Sequence, residues 1–427
     1  MALVGFGMVI TFMYLIMSKR LSAIVALILV PVVFAVVSGF GPTTGTMVLD
    51  GIKQLAPTAM MLMFAILFFA IMYDAGLFEP LIRRVVASVG SDPLRVTLGT
   101  ALLSAAISLD GDGSTTVLVV VTALLPVYLR LGMNPLIIAV LLLLTNSPIN
   151  LVPWGGPTAR AASALHLDAM VLFVGLIPVI LGCLVFAFGV AFWLGLSERK
   201  RLNWDRSAAT APIENQAGRS RDSHRPGLIW VNLALTLGLV AAMGLRLGPL
   251  PVLMMVAFAL ALLINYPRLA DQKQRIAAHA DSVLSVLALI FAAGAFTGIL
   301  SGTGMVDAMS SQFIGVLPES AGPHLAIITA FASLPFTFFM SNDAFFFGIV
   351  PLLAKAAAQY GVDPMHVARA AVLGQPVHAL SPLVAAGYLM SGLLNREVGE
   401  LQRFCLKWSF LSALVAIGMA VVFGAII

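Results

Sequence analysis

Two short polar segments interrupt long apolar runs at matching places in the chain: Ser108-Leu109-Asp110-Gly111-Asp112-Gly113-Ser114-Thr115-Thr116 and Met340-Ser341-Asn342-Asp343. Carboxylates and amides at membrane depth cost kilocalories each, so by default they mark a substrate or ion pathway. Two further segments carry related chemistry, Thr145-Asn146-Ser147-Pro148-Ile149-Asn150-Leu151-Val152-Pro153-Trp154-Gly155-Gly156-Pro157-Thr158 and Gly374-Gln375-Pro376-Val377-His378-Ala379-Leu380-Ser381-Pro382. Their prolines and glycines break helical hydrogen bonding and free carbonyls, while Asn, Gln, Ser and Thr supply donors and acceptors. In the first two segments a helix is expected to begin at Ser114-Thr115-Thr116 and at Ser341-Asn342-Asp343. Its open N–H groups and positive dipole end then face the membrane centre, which suits a carboxylate. The candidate substrate contacts are Gly113, Ser114, Thr115, Asn146, Ser147, Asn150, Ser341, Asn342, Gln375, His378 and Ser381.

Asp110, Asp112 and Asp343 sit where those dipoles would gather an anion. Unit charges a few Å apart repel by about 4 kcal/mol even at an effective dielectric of 20, so a cation is expected to accompany the anion. Hard oxygen ligands point to Mg²⁺ or Ca²⁺ rather than a thiophilic metal, with Na⁺ or a proton as other ways of removing the conflict. These three aspartates are the candidate metal contacts. The ion is expected as part of the substrate, with no permanently bound cofactor.

Such residues need a membrane scaffold to hold them, and the composition supplies one. Of the 427 residues 60% are apolar and 10% charged, and apolar runs long enough to span a bilayer recur from end to end. The net charge of +5 falls in short Lys/Arg clusters between those runs, a topogenic pattern with no nucleic-acid footprint. Cys183 and Cys405, the only cysteines, lie in or beside apolar segments, which leaves no disulfide framework. The fold class expected is an all-α polytopic membrane protein built from two inverted repeats, each with a re-entrant helical hairpin and a broken transmembrane helix, and its expected location is the cell (inner) membrane.

The repeats are expected over 1–196 and 227–427, separated by a polar cytoplasmic linker over 197–226. Three landmarks hold nearly one offset. Gly76 falls on Gly304 and Pro148 on Pro376 at 228 residues, and Gly132-Met133-Asn134-Pro135 falls on Gly361-Val362-Asp363-Pro364 at 229. With Lys19 and Arg20 placed inside after a retained first span, the remaining spans are expected near 21–40, 57–75, 170–196, 228–244, 247–265, 283–300 and 408–427. Re-entrant hairpins are expected at about 94–129 and 321–359, opening to opposite sides, each followed by a broken span, at 135–165 and 364–394. Arg160 and Arg369 lie near the breaks and either grip a carboxylate or snorkel to the interface. His378 falls opposite Asn150, whereas His166, His224, His279, His324 and His366 lie near ends or loops and are read as outside the site. Phe345-Phe346-Phe347 reads most simply as a lipid-facing or packing surface.

Across nearly its whole length the chain resembles the CitMHS family, metal-citrate:proton symporters of the wider ion transporter superfamily. The resemblance rests on Phe12 to Ser22, Ser108 to Thr116, Thr145 to Pro148, Trp154 to Thr158 and Phe339 to Asp343. It implies uptake of citrate complexed with a divalent cation, driven by protons, and a homodimer working by an elevator motion. Related dicarboxylate carriers have Ser-Asn-Thr at both hairpin tips. Here the tips read Gly113-Ser114-Thr115 and Ser341-Asn342-Asp343, so the sodium sites of those carriers do not transfer residue by residue. Two other readings stand beside it: another carrier of the superfamily, such as a C4-dicarboxylate symporter or an ion exchanger, and an intramembrane aspartyl protease, which Tyr73-Asp74 and Leu109-Asp110-Gly111-Asp112 loosely suggest.

Overall fold

The computed structural model describes residues 1–18, 20–111, 113–204, 225–245, 247–316, 318–381 and 383–427. Among these the secondary structure is helical throughout, and seven helices are long and apolar enough to cross a membrane. The first repeat runs α1 (Ala2–Met17), α2 (Ala23–Ala35), α3 (Gly41–Asp74), α4 (Glu79–Val89), α5 (Pro93–Ile107), α6 (Gly113–Arg130), α7 (Leu136–Ile149), α8 (Gly156–Leu165) and α9 (Ala169–Arg201). The second runs α10 (Ile229–Gly244), α11 (Leu250–Asn265), α12 (Leu269–Ala278), α13 (Ala280–Gly302), α14 (Met305–Val316), α15 (Leu325–Phe339), α16 (Val350–Gln359), α17 (Pro364–Ala371), α18 (Gln375–His378), α19 (Ala385–Leu394) and α20 (Val398–Val422). Helices α5 and α6 form the first hairpin, and α15 and α16 the second. The broken spans are α7 with α8, and α17 to α18 with α19.

The repeat is written in the turns. Gly76 and Gly304 close α3 and α13 with φ of 85° and 69°, and Gly132 and Gly361 follow the hairpins with φ of 68° and 77°. A side chain strains that left-handed conformation, so glycine persists where the chain must reverse. Asn134 and Asp363 then cap the next helix alike, each side chain accepting from the backbone N–H two residues on, at 3.0 and 2.8 Å. The outgoing arms match too. Thr100, Ser104 and Ser108 on α5, and Thr329, Ser333 and Thr337 on α15, put hydroxyls on one helix face at four-residue spacing, and all six side chains are buried.

Where the repeats meet, backbone touches backbone. Helix α3 packs along α13, and a Cβ on Gly51 would lie 2.0 Å from the Gly294 carbonyl oxygen, while one on Gly298 would lie 2.3 Å from that of Met47. Small residues at four-residue spacing let two helices approach this closely in a membrane, where no hydrophobic drive separates protein from lipid. The open end of the first hairpin is clamped to α9: Arg199 Nε donates to Asp92 at 2.7 Å, and Glu198 accepts from the Asn134 backbone N–H at 3.0 Å.

The structure departs from the sequence reading at the ends of spans. Residues 41–56, left between two spans, continue α3, and only Gly39, at φ 90°, turns the chain out of α2. Helix α9 runs on to Arg201, so the first residues assigned to the linker are helical, and residues 205–224 of that linker lie outside the described residues. Helix α20 begins ten residues before the expected span, because charged Glu400, Arg403 and Lys407 extend its solvated first turns without breaking it. Phe345, Phe346 and Phe347 are buried against the core, which excludes a lipid-facing role.

Gly298→Leu is expected to lower the melting temperature in detergent by several degrees, since overpacking a tight contact costs about 1–3 kcal/mol. Gly418→Ala, where a Cβ meets nothing within 4 Å, should leave it unchanged. A fluorescence melt of both variants checks the pair.

Candidate functional site

A cavity of about 450 Å³ lies between the crossing helices and the first hairpin. One wall is apolar, from Leu62, Ala65, Ile66 and Phe69 on α3 and Val286, Leu289 and Ile290 on α13. The other wall is polar. Gly111, Ser114 and Thr115 come from the hairpin tip, and Trp154, Gly156 and Arg160 from the break and the start of α8. Two helices, α6 and α8, therefore begin at one cavity. Each helix start carries about half a positive charge, an arrangement that suits an anion.

The hairpin is held by side chains that reach from α5 to α6 and to α7. The α5 hydroxyls form the ladder: Thr100 Oγ1 pairs with Tyr128 Oη at 3.0 Å, Thr145 Oγ1 donates to Ser104 Oγ at 2.7 Å, and Asn146 Nδ2 donates to Ser108 Oγ at 3.0 Å. Trp154 Nε1 donates to the Leu109 carbonyl at 2.9 Å, and its indole stacks on Phe69 at 5.4 Å, which ties hairpin, break and α3 together. Gly155 makes the turn possible, since a Cβ there would lie 1.8 Å from the Asn150 carbonyl oxygen. Beside it, Ser147 Oγ and Asn150 Oδ1 are buried with no hydrogen-bond partner among the described residues.

The second repeat uses its equivalents differently. Asn342 and Gln375 exchange amide hydrogen bonds at 3.3 and 3.1 Å, His378 Nδ1 meets the Thr337 carbonyl at 2.6 Å, and Ser381 Oγ donates to the Phe338 carbonyl at 2.7 Å. Ser341 Oγ accepts from the Ala344 N–H at 3.2 Å and caps the returning helix. These expected substrate contacts thus fasten the second break to α15, and none of them lines the cavity. What the second hairpin sends to the cavity region is Phe347, on its wall, and Asp343, whose Oδ1 accepts from Arg160 Nε at 2.7 Å.

Of the candidate contacts, Ser114 and Thr115 line the cavity; Gly113 adjoins them, with Asn146 Oδ1 3.6 Å from where its Cβ would be. Asp110 ends the 3₁₀ turn Ser108–Asp110, but its side chain, like the whole of Asp112, lies outside the described residues. Asp343, expected to face a metal, holds Arg160 in this conformation, and no group of three acidic, His or Cys side chains suited to a metal occurs among the described residues. Arg160 does not snorkel, whereas Arg369 bonds the Val171 and Leu172 carbonyls on α9, away from the cavity. His279, read as outside the site, lines the cavity and pairs with Asp74 at 2.9 Å. Nothing in the local sequence marked it, because its partner is 205 residues away.

Two broken spans and two hairpins around an anion-suited cavity define a polytopic membrane transporter. Comparison with known proteins agrees. The CitMHS family model, described as citrate transporter, matches residues 12–374, and the chain belongs to that family. Two proteins of Bacillus subtilis strain 168, a citrate transporter and an Mg(2+)/citrate complex secondary transporter, are 49% and 46% identical over 100% of this chain and 99% of their own. The fold is shared with the YdaH transporter of Alcanivorax borkumensis (TM-score 0.57, 16% identity, 90% of both chains). It is shared also with MtrF of Neisseria gonorrhoeae (TM-score 0.59, 16% identity, 90% of this chain and 84% of that one). A transporter rather than a protease accounts for Asp74 as well, since its carboxylate is engaged by Arg275 and His279.

The two tips should respond differently to truncation. Ser114→Ala is expected to raise the transport KM about fivefold with an unchanged melting temperature, the loss of one hydrogen bond of about 1 kcal/mol. Asn342→Ala should instead lower the melting temperature, because it strands the buried Gln375 amide. Transport assays and melts on both variants test this.

Proposed function

We propose that the protein imports citrate as a complex with Mg²⁺ or Ca²⁺ across the cell membrane, coupled to protons, by alternating access and as a homodimer. The observation that carries this reading is the convergence of two helix N-termini and Arg160 on one cavity large enough for a small hydrated anion. Citrate offers three carboxylates to those donors, and a complexed divalent ion lowers its charge before it meets Asp343 and the first hairpin's Asp110 and Asp112. The Arg160–Asp343 pair supports the same reading. A carboxylate that takes over the guanidinium leaves Asp343 in want of a cation, and a metal-bound anion brings one. The names of the Bacillus subtilis relatives fit that substrate.

Uptake of labelled citrate into proteoliposomes should stop with chelator and return with Mg²⁺ or Ca²⁺. Equal rates for metal-free citrate would overturn the complex as the substrate.

The same reading places residues 1–196 and 227–427 as inverted halves joined by a cytoplasmic linker over 197–226, with the first hairpin open to the cytoplasm and the second to the outside. Arg130 and Lys355, near the open ends of the hairpins, are both exposed. Cysteines placed at these two positions, in a chain with Cys183 and Cys405 replaced, should react with an impermeant maleimide from opposite faces. Labelling of both from one face sinks the inversion.

A further inference from the structure

We infer that the Asp74–His279 pair is where the carrier binds its coupling proton, an inference that rests on the proton-coupled reading above. Asp74 is the last residue of α3 and is buried, while His279 stands at the junction of α12 and α13. Asp74 Oδ2 receives both His279 Nε2, at 2.9 Å, and Arg275 Nη1, at 3.3 Å. Arg275 alone neutralises the carboxylate, so the imidazole is not needed for charge balance. Its side chain is 24% exposed and forms part of the same cavity wall as Ser114 and Arg160, where it is the one histidine among the described lining residues.

The pair has no twin in the other repeat. At the 228-residue offset Asp74 falls on Gly302 and His279 on Gly51, glycines of the helix crossing. A fold-building contact would be expected to recur with the repeat, as the Asn134 and Asp363 caps do.

The chemistry is a single proton transfer. A carboxylate beside Nε2 selects the tautomer with the proton on Nε2, leaving Nδ1 to accept a proton from the cavity. The N–H bond formed at Nδ1 converts Asp74, Arg275 and His279 from net zero to net +1, and the same proton leaves from Nδ1 on the other side of the cycle. An anion in the cavity favours the charged state, and by linkage the proton favours the anion equally. Other titratable or charged groups around the pair, among the described residues, are Tyr73 on α3, Tyr266 after α11, Arg225 over the Tyr266 ring at 5.0 Å, Asp271 on α12 and Arg160 on the same cavity.

The test counts protons per citrate, with a pH dye and labelled citrate in weakly buffered proteoliposomes containing Mg²⁺. A ratio does not depend on how much protein is active. Wild type should show coupled proton entry and a KM that falls as the pH is lowered. His279→Gln should lose one proton from the ratio and flatten the pH profile, and His378→Gln should keep the wild-type ratio. Asp74→Asn should move the midpoint of the profile to lower pH, since the imidazolium loses its counter-ion. A wild-type ratio and profile in His279→Gln, or loss of the proton in His378→Gln instead, overturns the placement. Should His279→Gln carry no flux, an unshifted midpoint in Asp74→Asn overturns it. Wild type without proton entry overturns the proton-coupled reading itself, and this inference with it.

Discussion

Backbone that leaves the helix inside a bilayer must be satisfied by protein or by what the protein binds, because hydrocarbon offers it nothing. The stretches between α7 and α8 and between α18 and α19 impose that demand, and the surrounding architecture answers it. Each break lies behind a hairpin and is fastened to that hairpin's outgoing arm, through side-chain hydroxyls in the first repeat and backbone carbonyls in the second. At the first break, Thr145 and Asn146 reach the α5 ladder and Trp154 reaches the tip. At the second, His378 and Ser381 take carbonyls of α15.

The two repeats share a plan and divide the labour. In the second, the amides of Asn342 and Gln375 are bonded to each other. In the first, Ser147 Oγ and Asn150 Oδ1 have no hydrogen-bond partner among the described residues, and α6 and α8 begin at the cavity. The Arg160–Asp343 pair joins the halves across this difference, with one charge from each repeat. On the proposed reading, an anion that takes Arg160 would also change the contact between repeats, which would give a local event access to the whole fold.

Much of this was legible in the sequence, for identifiable reasons. Gly76, Gly304, Gly132 and Gly361 announce the repeat because a left-handed turn leaves its mark in residue type. Proline with polar side chains inside apolar runs located both breaks. The rest depends on partners distant in the chain. Thr100 and Ser104 read as ordinary membrane-helix hydroxyls, which by default bond back to their own helix, and only the fold brings Tyr128 and Thr145 against them. Arg160 near a helix end is indistinguishable from a snorkelling arginine until Asp343, 183 residues on, is placed beside it. The asymmetry was invisible for a related reason: Asn342 and Gln375 look as available as Ser147 and Asn150, and pairing alone decides which are spent.

The glycine crossing between α3 and α13 has a mechanical consequence. Contacts made by side chains can creep, because rotamers change and methyl groups slide into neighbouring hollows. A contact of Gly51 with Gly294 and Gly298 has no such slack, since peptide planes press on one another directly. These two helices therefore behave as a single stiff beam that spans both halves of the molecule. Whatever rearrangement carries cargo through the bilayer must be accommodated along the faces where hairpins and broken helices lean on that beam, and it is at that sliding surface that the cavity is found.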